Sequence, residues 1–107
     1  MTLVAPTRGQ IYRADTGHGP KPWLIVSNNR RNRQLPYLLA ARITTTDKYA
    51  SLPTVVPLST DDPMVGHIVA DDLQQLHRDE LTALLGTVSP ATIMAVNTAL
   101  KLVLAIP

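Results

Sequence analysis

The sequence predicts a small, mainly β (α+β) domain: a strongly bent sheet or partly open barrel with a C-terminal α-helix packed against it. Short apolar runs recur between segments rich in Gly, Pro and Asn, as expected for strands joined by polar loops. Sustained helical periodicity appears at the C-terminal end, after a helix-start signal. The 107 residues suffice for one compact domain and are too few for two.

Each element follows from local chemistry. Gly9 marks the start of structure, and Gln10–Ala14 alternates with β-branched and aromatic residues, a strand pattern. Asp15–Pro22 is dense in Gly and Pro and reads as a loop. Trp23–Ser27 is a continuous apolar run, a buried strand. Asn28–Arg33 is polar and basic, a loop or a single helical turn. Tyr37–Thr44 reads as a strand, although propensity alone also permits a helix, and Thr45–Leu52 as a polar connection. Pro53–Leu58 is a short strand whose Pro57 marks an edge or a bulge. After a turn at Ser59–Pro63, Gly66–Ala70 forms another strand. Asp71–Glu80 is expected to hold a helical turn plus a loop, and Leu81–Val88 a last strand interrupted by Gly86. Ser89 is a good N-cap and Pro90 suits the first helical position. From Ala91 to Leu104, Ile93, Val96, Leu100 and Val103 fall on one face of a helix.

Composition narrows the function classes. Apolar residues make up 45% and charged residues 17%, which supports a core and argues against a disordered tail. Phenylalanine is absent, so Leu, Ile, Val, Ala and one Trp must build that core. Cysteine is also absent, which excludes a disulfide framework, a thiolate nucleophile and Cys-ligated zinc. The net charge of +2 is a mild basic lean, compatible with a polyanionic partner. Met1–Pro6 lacks the features of a signal peptide, and Leu102–Ile106 falls far short of the roughly 20 apolar residues of a membrane span. A soluble, cytoplasmic protein with no membrane association is expected.

Four clusters can carry chemistry. Lys21 stands between Pro20 and Pro22, where a rigid support can aim a cation at a phosphate; an exposed lysine beside a turn is the plainer reading. Thr44-Thr45-Thr46 ends a strand, where hydroxyls can donate to phosphate oxygens, although threonine is also simply a good β residue. Asn28 to Arg33 gathers three arginines and three amides into a local basic patch or a solvated turn. Asp71-Asp72 can supply a general base or an acceptor that reads a base, or can cap a helical turn. No His, Asp or Glu spacing resembles a metal site, and neither a glycine-rich phosphate loop nor a Gly-x-Ser-x-Gly elbow is present; no metal and no cofactor are expected.

Taken in order, these pieces resemble the MazF/PemK/Kid ribonuclease toxins of bacterial toxin–antitoxin pairs. Arg8-Gly9-Gln10-Ile11-Tyr12 is similar to the family's opening, and Lys21-Pro22 followed by Trp23–Ser27 to its charged-Pro-apolar strand. Asn32-Arg33, Ala41–Thr44, Leu52–Val56, Ile68–Leu73 and Leu85–Pro90 with the final helix continue the likeness over nearly the whole chain, 1–107, as one toxin domain. The resemblance implies an SH3-like, partly open barrel, a homodimer and an antitoxin partner. It implies metal-independent cleavage of single-stranded RNA by attack of a ribose 2′-OH, leaving a cyclic phosphate and a 5′-OH end.

Carried over residue by residue, the resemblance assigns catalysis to Lys21 and Thr44, with His18 and Asp71 sharing acid–base work. It assigns RNA contacts to Ser27, Asn28, Arg30, Arg31, Arg33, Thr45, Leu52, Pro53 and Asp72. The chain departs from the family in three places. Lys21 stands for an arginine and lacks its bidentate fork, the preceding loop is shorter, and Asp72 replaces a glutamine. A non-catalytic toxin of the same barrel, like the gyrase-binding CcdB relatives, and a plain interaction module with a degenerate site are the alternatives.

Overall fold

The structure, a computed structural model, describes residues 5–107. Its strands are β1 (Gln10–Asp15), β2 (Pro20–Ile25), β3 (Tyr37–Thr44), β4 (Val55–Pro57), β5 (His67–His77) and β6 (Leu81–Thr87). A short helix α1 (Asn29–Gln34) joins β2 to β3, and α2 (Pro90–Leu104) closes the chain. All six strands form one antiparallel sheet in the order β4-β5-β3-β2-β1-β6. The sheet is not closed into a barrel: β4 and β6 are its edges. Pro57, which lacks an N–H for the ladder, sits on the β4 edge as its chemistry requires.

Strand alternation divides the buried side chains into two clusters on opposite faces. Leu24, Ala41, Ile43 and Ile68 meet Val96 and Ala99 of α2. Ile93, Leu100 and Val103 pack around them, which is the helical face expected from the sequence. The other face holds Ala14, Trp23, Ile25, Leu38, Ala40 and Leu76. Ser89 caps α2 by accepting the Thr92 N–H at 3.3 Å, and Pro90 occupies its first turn.

Two expectations need correction. Pro20–Pro22 belongs to β2 rather than to the preceding loop, because Pro20, Lys21 and Pro22 pair with Asp15, Ala14 and Arg13 of β1. The segment 71–77, expected as a helical turn plus loop, continues β5; only Arg78–Glu80 forms a 3-10 turn. The reason is a bulge. Arg42 pairs with Val69 but Ala41 with Leu73, so residues 70–72 stand outside the ladder. Three extra residues invert the alternation. Ile68 therefore joins the α2 face while Leu76, also an even position, joins the other.

Two tethers hold the ends of this sheet. Asp62 accepts the Ser89 N–H at 2.7 Å and the Thr92 hydroxyl at 2.6 Å, tying the β4–β5 connection to the start of α2. Burial raises its pKa, but these bonds and those from the Ser59 N–H and hydroxyl prevail and hold it at about 2. Gly66 has φ +139, and a Cβ there would lie 2.8 Å from the Thr44 carbonyl oxygen.

Because the folded pKa of Asp62 is depressed, its contribution is complete above the ordinary value of 3.8 and is lost as pH falls toward 2. Thermal melts of Asp62→Ala should lie a few degrees below wild type at about pH 5, and the gap should narrow steadily as pH falls from about 4 through about 2. Gly66→Ala should lower stability in urea by about 1–3 kcal/mol through strain at the end of β3.

Candidate active site

The β2–β3 register determines what meets at one end of the sheet. Trp23 pairs with Arg42, Leu24 with Ala41 and Ile25 with Ala40, each pair summing to 65. The ladder ends at Trp23 and Arg42, and two residues beyond it on each strand stand Lys21 and Thr44. Period-two alternation then places Lys21, Trp23, Arg42 and Thr44 on one face, the one directed away from α2. There they line a cleft of about 550 Å³ together with His18, Thr45, Met64, Asp72 and Gln74.

The loop between β1 and β2 forms one wall. Asp15 Oδ1 accepts the N–H groups of Gly17 at 2.8 Å and Gly19 at 3.1 Å, an Asx-type turn that shapes the segment carrying His18. The opposite wall comes from the bulge in β5. Asp72 Oδ2 accepts Arg42 Nε–H at 2.6 Å, with both side chains about a third exposed. Lys21 and Arg42 carry two positive charges and Asp72 one negative, so with His18 neutral the lining is net +1. Trp23 is 2% exposed and lies at the floor. Its Nε1–H is buried with no partner among the described residues.

This arrangement can hold an anion. Lys21 is exposed and offers a mobile ammonium, Thr44 a hydroxyl and Arg42 a planar guanidinium. Among the described residues no three His, Asp or Glu side chains gather as a metal site.

Lys21, Thr44, His18, Thr45 and Asp72 thus share the cleft. Asp71 does not line it. Across the bulge its carboxylate accepts the Thr54 hydroxyl instead. Ser27 is buried, and its hydroxyl donates to Asn32 Oδ1 at 2.5 Å while accepting the Leu39 N–H at 3.1 Å. It braces α1 and presents no free group to a ligand. Asn28 caps α1 by accepting the Arg30 N–H at 2.8 Å.

Arg30, Arg31 and Arg33 ride on α1, at the Tyr37 end of β3. Seven steps of β3 separate that end from Thr44, about 23 Å at roughly 3.3 Å per residue. Leu52 and Pro53 are exposed on the connection before β4 and do not line the cleft. The structure therefore divides the expected RNA-contacting residues between a cleft and a distant basic helix. Arg42 was absent from the expected site. Alternation along Tyr37–Thr44 already places it on the same face as Thr44, two residues away.

Comparison with known proteins agrees with this architecture. Residues 7–104 match the family described as PemK-like, MazF-like toxin of type II toxin–antitoxin system. Endoribonuclease MazF4 of Mycobacterium tuberculosis is 50% identical over 105 residues, covering 98% of each chain. Endoribonuclease MazF1 of Mycobacterium bovis is 50% identical over the same share. Among solved structures, a mycobacterial endoribonuclease in complex with its cognate antitoxin superposes with a TM-score of 0.92 at 50% identity, covering 96% of this chain and 98% of that one. MazE–MazF from Deinococcus radiodurans, at 19% identity and a TM-score of 0.84 over 98% of this chain and all of that one, shares the fold. The chain belongs to the PemK-like, MazF-like toxins of type II toxin–antitoxin systems.

Proposed function

We propose that this protein is an endoribonuclease toxin that cuts single-stranded RNA and is held inactive by a cognate antitoxin. The observation that carries the reading is that Lys21 of β2 and Thr44 of β3 line one net-positive cleft. The 50% identity to proteins named endoribonucleases supports it, as does the antitoxin complex of a 50% identical relative. Those same relatives leave the gyrase-binding reading without a supporting observation.

The chemistry needs no external nucleophile. The 2′-oxygen forms a bond to the adjacent phosphorus, and the bond from phosphorus to the 5′-oxygen breaks. One proton leaves the 2′-OH and one reaches the departing 5′-oxygen, giving a cyclic phosphate and a 5′-OH end. The internal nucleophile removes the need for a metal to activate water. Thr44 donates to a phosphate oxygen, and Lys21 offsets the charge that grows on the phosphorane. His18, on the loop wall, is the imidazole in the cleft that can pass a proton to or from the reacting oxygens.

RNA contacts fall to Thr45 in the cleft, and to Asn28, Arg30, Arg31 and Arg33 at α1 where a longer strand passes; Asp72, in the same cleft, is paired with Arg42. Leu52 and Pro53 offer apolar contact beyond the cleft. Asp71, bonded to Thr54, acts by holding the start of β4 beside the bulge. The chain, 1–107, is read as one toxin domain acting in the cytoplasm. It forms a homodimer, a reading supported by exposed Met94, Leu102, Leu104 and Ile106 on and after α2. No helix among the described residues is long and apolar enough to cross a membrane.

Purified protein should cleave a single-stranded transcript in EDTA and leave 5′-hydroxyl ends. Thr44→Ala should slow cleavage about 100-fold or more, the usual cost of one donor to a developing oxyanion. Lys21→Ala should fall comparably while Lys21→Arg retains activity; unchanged cleavage by Thr44→Ala would remove its assigned role. The cognate antitoxin, added in stoichiometric amount, should abolish the cleavage.

A further inference from the structure

We infer that Arg42, held in place by Asp72, is a second phosphate-contacting catalytic residue, supplying the guanidinium fork that Lys21 lacks. The inference rests on the nuclease reading and deepens it. Arg42 lines the same cleft as Lys21 and Thr44. It stands on the same strand and the same face as Thr44, and opposite Trp23 on β2. A phosphodiester in contact with Thr44 is therefore within reach of an arginine side chain two residues away.

The engagement of Arg42 is partial in a useful way. Asp72 accepts from Nε–H, and neither terminal nitrogen has a hydrogen-bond partner among the described residues. A guanidinium anchored through Nε keeps a fixed plane and leaves its outer N–H groups for phosphate oxygens. Lys21, by contrast, is a point charge on an exposed, flexible stem. The two cations would then divide the work: Lys21 offsets charge, and Arg42 gives direction.

The carboxylate is in position because of the β5 bulge. Residues 70–72 leave the ladder beside Arg42, whose register partner is Val69. A regular β5 would run past Arg42 with its next residues paired and Asp72 displaced along the strand. A cleft rich in donors and poor in acceptors suits a phosphodiester better than a cationic ligand. Asp72 is in this reading a positioning residue, and its replacement alters the charge of the cleft without removing a cation.

Three variants of the full chain test the inference, with single-turnover cleavage of a single-stranded RNA transcript and the salt dependence of binding to its 2′-O-methyl form. Arg42→Ala should slow cleavage about 100-fold, and the slope of log K against log salt should shrink by about 0.7, one lost single-strand phosphate contact. Arg42→Lys, which keeps the charge and protects against a folding artefact, should still lose about tenfold for want of the fork. Asp72→Asn should slow cleavage while binding RNA more tightly, because the guanidinium is freed of its counter-charge but no longer aimed.

A purely structural ion pair predicts otherwise: Arg42→Ala and Asp72→Asn would lower the melting temperature alike and leave the salt slope unchanged. That result, or wild-type cleavage by Arg42→Ala, overturns the inference alone. Wild-type protein that leaves the transcript intact overturns the nuclease reading beneath it.

Discussion

Antiparallel pairing of β2 with β3 fixes where four polar or amphipathic side chains must lie. Three residue pairs set the register, and the pleat then delivers Lys21, Trp23, Arg42 and Thr44 to one face. A slip of β2 by one residue would turn Lys21 toward the α2 face and bring Leu24 out of the core. Burial of those apolar neighbours therefore holds the cleft in register. Leu24 and Ala41 are fully buried, and Ile43 nearly so. The stability of the core and the geometry of the site are the same constraint seen from two faces of the sheet.

Around that pairing, short polar contacts place what the strands alone do not. Asp15 shapes the wall that carries His18, the β5 bulge brings Asp72 to Arg42, and Gly66 lets the chain pass close to the Thr44 carbonyl. None of these contributes much buried apolar area. Each instead sets the position of a group whose chemistry depends on where it points. The bulge does most, since it shifts the β3–β5 register by three residues and leaves Asp72 beside Arg42.

The strands that read cleanly were those whose pattern and environment agree. Tyr37–Thr44 reads as a strand between polar connections, and β3 has those bounds; the face of α2 follows Ile93, Val96, Leu100 and Val103. The β5 strand was legible only in its first half. A three-residue bulge inverts the alternation, so Ile68 and Leu76 face opposite ways and no single period fits both. The prolines around Lys21 suggested a loop, yet Pro20 and Pro22 both lie within β2. Lys21 and Thr44 could be paired through the family resemblance; alternation along β3 already set Arg42 on the face of Thr44, whereas its carboxylate partner Asp72 depended on a bulge that sequence spacing does not contain. The basic run from Arg30 to Arg33 was plain as composition; its distance from the cleft required the topology.

The remoteness of α1 from the cleft has a consequence for how the molecule can change. Charges there can be added or removed without altering the fields at Lys21 and Thr44, because some 20 Å of separation exceeds the Debye length of about 8 Å at physiological ionic strength. Grip on a long polyanion and the chemistry at a single linkage are thereby nearly independent quantities. One can drift from lineage to lineage while the other stays fixed.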